Sequence, residues 1–407
     1  MKKTIRLAAT LLAISMLLSA CSGGTGSQTS SSPSQSPENT GSSEVSETAS
    51  NAETPPESSR EETGGEKSGS MKIDYSTAFS VDYITEDILL VTDGENQKFL
   101  LVPRGQAAPS GYDDTLVLYT PVERALFSSS TQYGMIAPFD VWDAVGGIMA
   151  SGDEFPFAGL SERVADGRIL HIGNANTPDY ELIRMLDPEI TFVYTGFAAQ
   201  TAIIEKLEEL ELPYAVDNEY LEEHHRGRME WMKFLAAFFG IAEEVVEYVE
   251  EMFDRLDEME ALVAGADKPK VAWGRVDSGM TRVAGNNSYV IKMLESVGCI
   301  NVFAHIEGTG SGQLTPEEFY DGVKEADIWI HGTTPLTIRT YGDILEEQPV
   351  LEGIPSMVNK NVWMLGPEYY NLTGEIDMQV IELASIIHPD LFPQITEYRQ
   401  FAPLGDD

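Results

Sequence analysis

Thr177-Pro178-Asp179-Tyr180-Glu181-Leu182-Ile183-Arg184-Met185-Leu186-Asp187-Pro188-Glu189-Ile190-Thr191-Phe192-Val193-Tyr194-Thr195-Gly196 has a distant echo later in the chain. The echo reads Thr315-Pro316-Glu317-Glu318-Phe319-Tyr320-Asp321-Gly322-Val323-Lys324-Glu325-Ala326-Asp327-Ile328-Trp329-Ile330-His331-Gly332. Thr177/Thr315, Pro178/Pro316, Glu189/Asp327 and Ile190/Ile328 share one offset of 138 residues. In each copy the threonine is placed to N-cap a helix and the proline to take its first position. Acids in the first turn suit the positive end of the helix dipole. A short helix, an acid and an apolar strand follow, which is a helix-into-strand unit of an α/β sheet. One such unit in each half predicts two equivalent lobes.

Between the copies the chain is strongly helical. Glu222 to Phe239 reads as one helix, broken at Gly240. Ala242 to Ala264 reads as a second, with Val245, Val246, Val249, Met252, Phe253, Leu256, Met259, Leu262 and Val263 at three-four spacing. At 1.5 Å per residue it is about 35 Å long, enough to run from one lobe to the other. Beyond it, Lys270 to Trp273 begins a strand, Ser288 to Gly298 reads as a helix, Asn361 to Gly366 as a strand and Gln379 to Ile387 as a last helix. Before it, Ile88-Leu-Leu-Val-Thr-Asp-Gly and Lys98-Phe-Leu-Leu-Val-Pro form a hairpin about Asp93-Gly94, and Thr115 to Thr120 reads as a buried strand. The expected fold is α/β: two three-layer lobes with mostly parallel sheets, joined by a long α-helix, with an N-terminal β-hairpin.

The N-terminus reads as an address. Lys2, Lys3 and Arg6 precede an apolar run from Leu7 to Leu18, too short to span a bilayer comfortably. Leu18-Ser19-Ala20-Cys21 then looks like a bacterial lipobox, with Cys21 as the lipidated residue. Residues 22–70 are almost all Ser, Gly, Thr, Glu, Pro, Gln and Asn, with Val45 the only large aliphatic. Such a segment cannot offset its own ordering entropy and serves as a tether, reaching roughly 35–42 Å. The expected organisation is a signal peptide (1–20), a tether (21–70), an N-terminal lobe (71–240), an inter-lobe helix (241–264) and a C-terminal lobe (265–407).

Composition narrows the function. The 407 residues hold 26 Lys+Arg against 66 Asp+Glu, a net charge of −40, which repels nucleic acid and gives no bare electrostatic grip on anionic lipid. Two cysteines, Cys21 and Cys299, exclude a disulfide scaffold or a cysteine zinc site. No phosphate loop, dinucleotide fingerprint, Gly-x-Ser-x-Gly or His-Glu-x-x-His occurs. Six scattered histidines, His171, His224, His225, His305, His331 and His388, leave a divalent-metal site as a weaker alternative, and adjacent His224 and His225 would point different ways from a helix. Aromatic and arginine residues cluster where strands end: Tyr194 and Phe197, Trp273 with Arg275 and Arg282, Arg339 and Tyr341, Tyr369 and Tyr370. In open α/β sheets ligands bind beyond the carboxyl ends of strands, so these nine residues are the candidate binding set for a bulky, partly anionic ligand.

Several segments together resemble the substrate-binding lipoproteins of iron-siderophore and vitamin B12 ABC importers. They are Glu181-Leu-Ile-Arg-Met-Leu-Asp-Pro-Glu189-Ile190, Ser288-Tyr289 with Val297-Gly298-Cys299-Ile300-Asn301, Leu314-Thr315-Pro316-Glu317, and His388-Pro389-Asp390-Leu391-Phe392. Glu223 to Phe234, with Gly227-Arg228 and Glu230-Trp231, is similar to a stretch found in a subset of that family. The resemblance spans roughly residues 115–393; Glu189 and Ala326-Asp327 depart from the family's usual Asp and Pro-Asp. It implies a bilobal fold with a stiff linking helix. It also implies one glutamate on each lobe for docking to an ABC permease dimer served by its ATPase. Those positions match Glu181 and Glu317, although the internal alignment pairs Glu317 with Asp179. The expected function is capture of an iron complex by a monomer that performs no chemistry and carries no cofactor of its own. Haem and cobalamin or another corrinoid remain open as ligands. An exported enzyme would need a nucleophile–base–orienter set that these residues do not assemble, and a stalked adhesin would show more repeats than one lobe pair.

Overall fold

The computed structural model describes residues 69–152, 155–277, 279–335 and 338–406. The expected signal peptide, the expected lipidation site Cys21 and the expected tether up to residue 68 lie outside them. Gly69 and Ser70, expected at the tether's end, instead form β1 (Gly69–Ser70) and pair with β2 (Ser80–Tyr83). Next come β3 (Leu89–Thr92), β4 (Lys98–Pro103) and β5 (Leu116–Thr120), and the sheet runs in the order β1-β2-β3-β4-β5. The expected hairpin is the antiparallel β3–β4 pair. Its turn is organised by the Asp93 carboxylate, which accepts the N–H groups of Glu95 (2.9 Å), Gln97 (2.8 Å) and Val216 (2.8 Å). The expected buried strand, β5, is a half-exposed edge strand, because it pairs only with β4 and turns Leu116 and Tyr119 to solvent.

The second sheet alternates with helices: β6 (Ala125–Phe127), α1 (Ser130–Ile136), β7 (Val145–Ile148), α2 (Ala158–Ala165), β8 (Leu170–His171), a small hairpin β9 (Gly173–Asn174) and β10 (Thr177–Pro178), α3 (Tyr180–Leu186), β11 (Ile190–Val193), α4 (Ala198–Glu209) and β12 (Tyr214–Val216). Its order is β12-β11-β6-β7-β8, every pair parallel. Both faces are covered, which is why β7 and β11 are buried throughout. Helix α5 (His225–Phe239) ends at Gly240 in the left-handed region (φ 69°), and α6 (Ala242–Val263) follows. Most of the predicted stripe of α6 is buried; Val246 is partly covered, and Leu262, at the stripe's edge, is exposed.

After α6 the chain builds β13 (Lys270–Asp277), β14 (Met280–Ala284), α7 (Tyr289–Ser296), β15 (Ile300–Asn301), β16 (Ser311–Leu314), α8 (Pro316–Val323), β17 (Ile328–His331), α9 (Tyr341–Glu347), α10 (Pro355–Val358), β18 (Val362–Leu365), α11 (Ile376–Ile387) and β19 (Phe401–Pro403). The order is β16-β14-β13-β17-β18-β19, with β15 also on β13. Here β13, β15, β17 and β18 are parallel, while the β13–β14, β14–β16 and β18–β19 pairs are antiparallel. The protein thus has two α/β lobes, the central sheet of the first all parallel and that of the second mixed.

Alternate residues of the central strands face different cores, as a period of two requires. Ala125, Phe127, Ile190 and Phe192 of the first lobe share one core with Val271, Trp273, Ile328 and Ile330 of the second and with α5, α6 and α11. Leu126 and Val193 face an outer core on the first lobe, and Ala272 and Trp329 one on the second. All fifteen residues of α5 are buried, charged ones included. Its Glu230 accepts the N–H groups of Asp74 (2.7 Å), Tyr75 (2.9 Å) and Ser76 (2.8 Å), and Lys233 donates to the Lys72 carbonyl (3.0 Å). Arg226 pairs with Asp257 and Glu260 of α6. The segment that follows β1 is therefore clamped to the central helix.

The echo holds for the strands and shifts at the helices. Thr315 caps α8 in a capping box with Glu318, and Pro316 takes the first helical position, as expected. Thr177 and Pro178 do not repeat this, because they are held in β10 against Asn174 and Gly173. Asp179 caps α3 instead, accepting the N–H groups of Glu181 (3.0 Å) and Leu182 (3.1 Å).

Candidate ligand-binding site

Two cavities open at the carboxyl ends of the two central sheets. The one on the second lobe holds about 230 Å³. Trp273 and Arg275 reach it from β13, Arg282 from β14, Tyr289 from the start of α7, Gly332 from the residue after β17, and Tyr369 and Tyr370 from the loop after β18. Gly332 is needed for close approach, since a Cβ there would lie 2.7 Å from Trp273 Nε1. Arg275 and Arg282 stand directly opposite each other on the antiparallel β13–β14 pair. Like charges in that arrangement destabilise a sheet. Neither arginine makes an ion pair with any described residue, and Arg282 Nε is buried without a hydrogen-bond partner. Ser288, at the N-cap of α7, donates its hydroxyl to the Gly285 carbonyl (2.7 Å) and leaves the helix start beside the cavity without a side-chain cap. Tyr369 is buried and its hydroxyl has no hydrogen-bond partner, and burial pushes that hydroxyl well above its ordinary range. Tyr370 stands at the rim, 45% exposed. The cavity is thus positive, aromatic and short of acceptors.

The cavity on the first lobe holds about 330 Å³ and is neutral. Ser128, Ser129 and Ser130 follow β6, Ala150 and Ser151 follow β7, and Asn174, Asn176 and Tyr194 complete the wall. Tyr133, pushed up to about 12 by burial, donates to Asn371 Oδ1 (3.2 Å). Asn371 lines this cavity and its neighbours Tyr369 and Tyr370 line the other, so one loop borders both. Thr373 anchors that loop to the first lobe by donating to the Thr131 carbonyl (2.6 Å).

Of the nine candidate binding residues, Trp273, Arg275, Arg282, Tyr369 and Tyr370 come together in the second-lobe cavity, and Tyr194 lies in the first-lobe one. Phe197 lines neither; it packs against Tyr194 and Tyr220 at 5.6 Å and is half exposed. Arg339 and Tyr341 are not brought to either cavity. The chain runs on past the end of β17, leaving Arg339 exposed with its backbone N–H on Asp343, and burying Tyr341 at the start of α9 in the outer core. Sequence reasoning missed Tyr289 and the serine run after β6; three small polar residues directly after an apolar strand were the available signal. Among the described residues no group of three or more His, Cys, Asp or Glu is arranged to hold a metal ion. His224 and His225 do not diverge: His224 lies outside the helix as its N-cap, and the two rings stack at 4.4 Å.

The periplasmic binding protein family profile matches residues 155–369, more than half of the chain. The chain belongs to the periplasmic binding protein family. Two curated relatives of this periplasmic binding protein are uncharacterized lipoproteins of Methanocaldococcus jannaschii. One is 30% identical over 74% of this chain and 74% of its own length, the other 26% identical over 80% and 85%. Solved structures share the fold. A periplasmic heme-binding protein, RhuT of Roseiflexus sp. RS-1, superposes with a TM-score of 0.53 at 16% identity, covering 66% of this chain and 99% of its own. Helicobacter pylori CeuE in a nickel–histidine complex gives 0.54 at 17%, covering 76% and 91%. The molybdate-bound protein MolA of Haemophilus influenzae gives 0.53 at 14%, covering 75% and 93%. At these identities the likeness carries the fold alone.

Within this family member, Glu181 and Glu317 occupy the same helical position. Each is the second residue of its helix, α3 or α8, and each is exposed. Asp179, the alternative partner of Glu317, is the helix cap, and its carboxylate is taken up by two backbone N–H groups.

Proposed function

We propose that this periplasmic binding protein is an extracytoplasmic receptor, held on the membrane by a lipidated Cys21, that captures an iron complex of the ferric-siderophore type. The ligand lies across the two cavities and passes to an ABC permease dimer driven by its ATPase, with Glu181 and Glu317 as the docking carboxylates and a monomer as the working unit. The observation that carries this reading is the pair of opposed, unpaired arginines in an aromatic cavity of a chain with 66 acids. A chelate with oxyanion ligands supplies the missing acceptors, and the neutral serines and asparagines across the cleft suit its uncharged arms. The relatives named as lipoproteins support the anchor. A tetrapyrrole, haem or corrinoid, is the second reading, favoured by the buried and unpartnered hydroxyl of Tyr369. Native mass spectrometry of the full chain purified from its own host tests both. A bound mass equal to a ferric chelate supports the first reading, a tetrapyrrole mass the second, and a bare divalent ion refutes both.

A further inference from the structure

Part of the segment Gly227-Arg228-Met229-Glu230-Trp231-Met232-Lys233-Phe234 is structural, with Glu230 and Lys233 holding the strap after β1 and Trp231 donating to Glu222 (2.8 Å). Arg228 has no part in that clamp. It is buried, and its Nε donates to Glu219 Oε2 at 2.6 Å, with Glu219 itself buried. Its guanidinium lies 4.1 Å from the ring centroid of Tyr289, the first residue of α7 and a wall of the arginine cavity. Burial opposes the charge, and the Glu219 carboxylate beside it more than offsets that. Glu219 comes from the turn after β12, in the first lobe. The next residue, Tyr220, donates to the Thr195 carbonyl (2.6 Å) and packs at 5.7 Å against Tyr194 of the neutral cavity. A line of contacts therefore runs from one cavity wall through Glu219 and Arg228 to the other.

A buried ion pair of this kind is weak as a stabiliser, because well-packed apolar residues often do as well. What it does supply is direction: a planar cation over a ring face fixes where the ring stands. We infer that Arg228 is a positioning residue for the second-lobe cavity, held by Glu219 of the first lobe and holding Tyr289 as the cavity wall. Its effect on affinity rests on the reading of the cleft as a ligand site; its effect on Tyr289 does not.

The test uses the full chain labelled with 3-fluorotyrosine, with Tyr289→Phe assigning the Tyr289 resonance and Tyr83→Phe a distant control. The double variant Arg228→Met with Glu219→Gln removes both charges, so neither is left buried alone. The expected result is a shifted, broadened Tyr289 line with the Tyr83 line and melting temperature near the parent's. Affinity for a ferric tricatecholate or haem, whichever the parent binds, then falls about tenfold, within the range of a cation–π contact. Should the double variant not fold, Arg228→Lys carries the test, since lysine keeps a charge for Glu219 but lacks the flat face; the Tyr289 line must still move. An unmoved Tyr289 line in either folded variant overturns the inference. A parent that binds neither probe counts against the ligand reading, and the fluorine line alone then decides the role of Arg228.

Discussion

Arg275 faces Arg282 across one antiparallel pair, and 66 carboxylates elsewhere in the chain leave both without an ion-pair partner among the described residues. That charge is kept open by position: both side chains sit at a cavity mouth formed where β13 meets its hairpin partner. A different buried group makes the fold sensitive to acid. His331 ends β17, fully buried, with Nε2 at 3.1 Å from the Val276 backbone nitrogen and 3.0 Å from its carbonyl oxygen; the neutral ring can satisfy one of them. Burial pushes its pKa down to about 4 from 6.5. Between those values the unfolded chain binds a proton that the folded chain does not. The stability is therefore full above about 6.5 and lost as pH falls toward 4, on the order of 3 kcal/mol across the window. His225, also buried and depressed, acts with the same sign. Urea unfolding at pH 7 and pH 4.5 checks this: His331→Gln should lose less stability on acidification than the parent, and an equal loss in both would mean that His331 is not held neutral. Residue by residue, the sequence revealed five of the second-lobe cavity's walls because aromatic and arginine residues after strands are conspicuous. It hid Tyr289, which lies at a helix start, and misplaced Tyr341, whose burial depends on how far the chain runs past β17.

Helices α3 and α8 show how far an internal repeat carries. The strands that follow them, β11 and β17, keep the offset of 138, so the apolar runs located the two sheets correctly. The N-caps do not keep it, because Gly173 lets the chain turn (φ 91°) and Pro178 pairs in a hairpin before the helix begins. Capping chemistry is common, and a threonine–proline pair serves a strand end as readily as a helix start. With the caps placed by structure, Glu181 and Glu317 coincide as second residues. Helices that precede parallel strands run against them, so both helix starts lie on the same side of their sheets as the cavities. Exposed carboxylates at these positions contribute less than about 0.5 kcal/mol to stability. In the proposed docking to permease arginines they would be charge-assisted partners whose removal costs roughly 2–5 kcal/mol. The double variant Glu181→Ala with Glu317→Ala should melt and bind ligand like the parent while uptake into cells falls at least about tenfold. Loss of ligand affinity would move these residues into the site, and unchanged uptake would remove their docking role.

At the scale of the molecule, the two central sheets turn their carboxyl ends to cavities of opposite character, one positive and aromatic, one neutral and hydroxylic. They share a single inner core through α5, α6 and α11, which ties the lobes by packing rather than by a linker alone. The two lobes and the long helix between them followed from apolar periodicity, whereas the extra antiparallel strands of the second lobe did not, because Ser311–Leu314 carries no strand pattern of its own. The strap after β1 fastens the start of the described residues to the central helix through Glu230 and Lys233. On the proposed lipidation of Cys21, acyl chains at about 0.8 kcal/mol per buried CH2 would give a durable membrane hold. Cys21→Ala should move the protein from the membrane fraction to the soluble extracytoplasmic fraction, and a parent-like membrane fraction would contradict lipidation. Capture of an anionic iron chelate at the opposed Arg275 and Arg282 is the proposed role, and one titration decides it. Tryptophan fluorescence of the full chain, with Trp273 in the cavity wall, is followed against ferric siderophores, haem, cobalamin and free divalent metals, for the parent and for Arg275→Gln with Arg282→Gln. Saturation by a ferric chelate at about one equivalent is expected in the parent, with a loss of about tenfold or more in the variant, as for removal of charged partners in a desolvated site. Saturation by a free divalent metal with no response to any chelate, or equal chelate affinity in parent and variant, would contradict it.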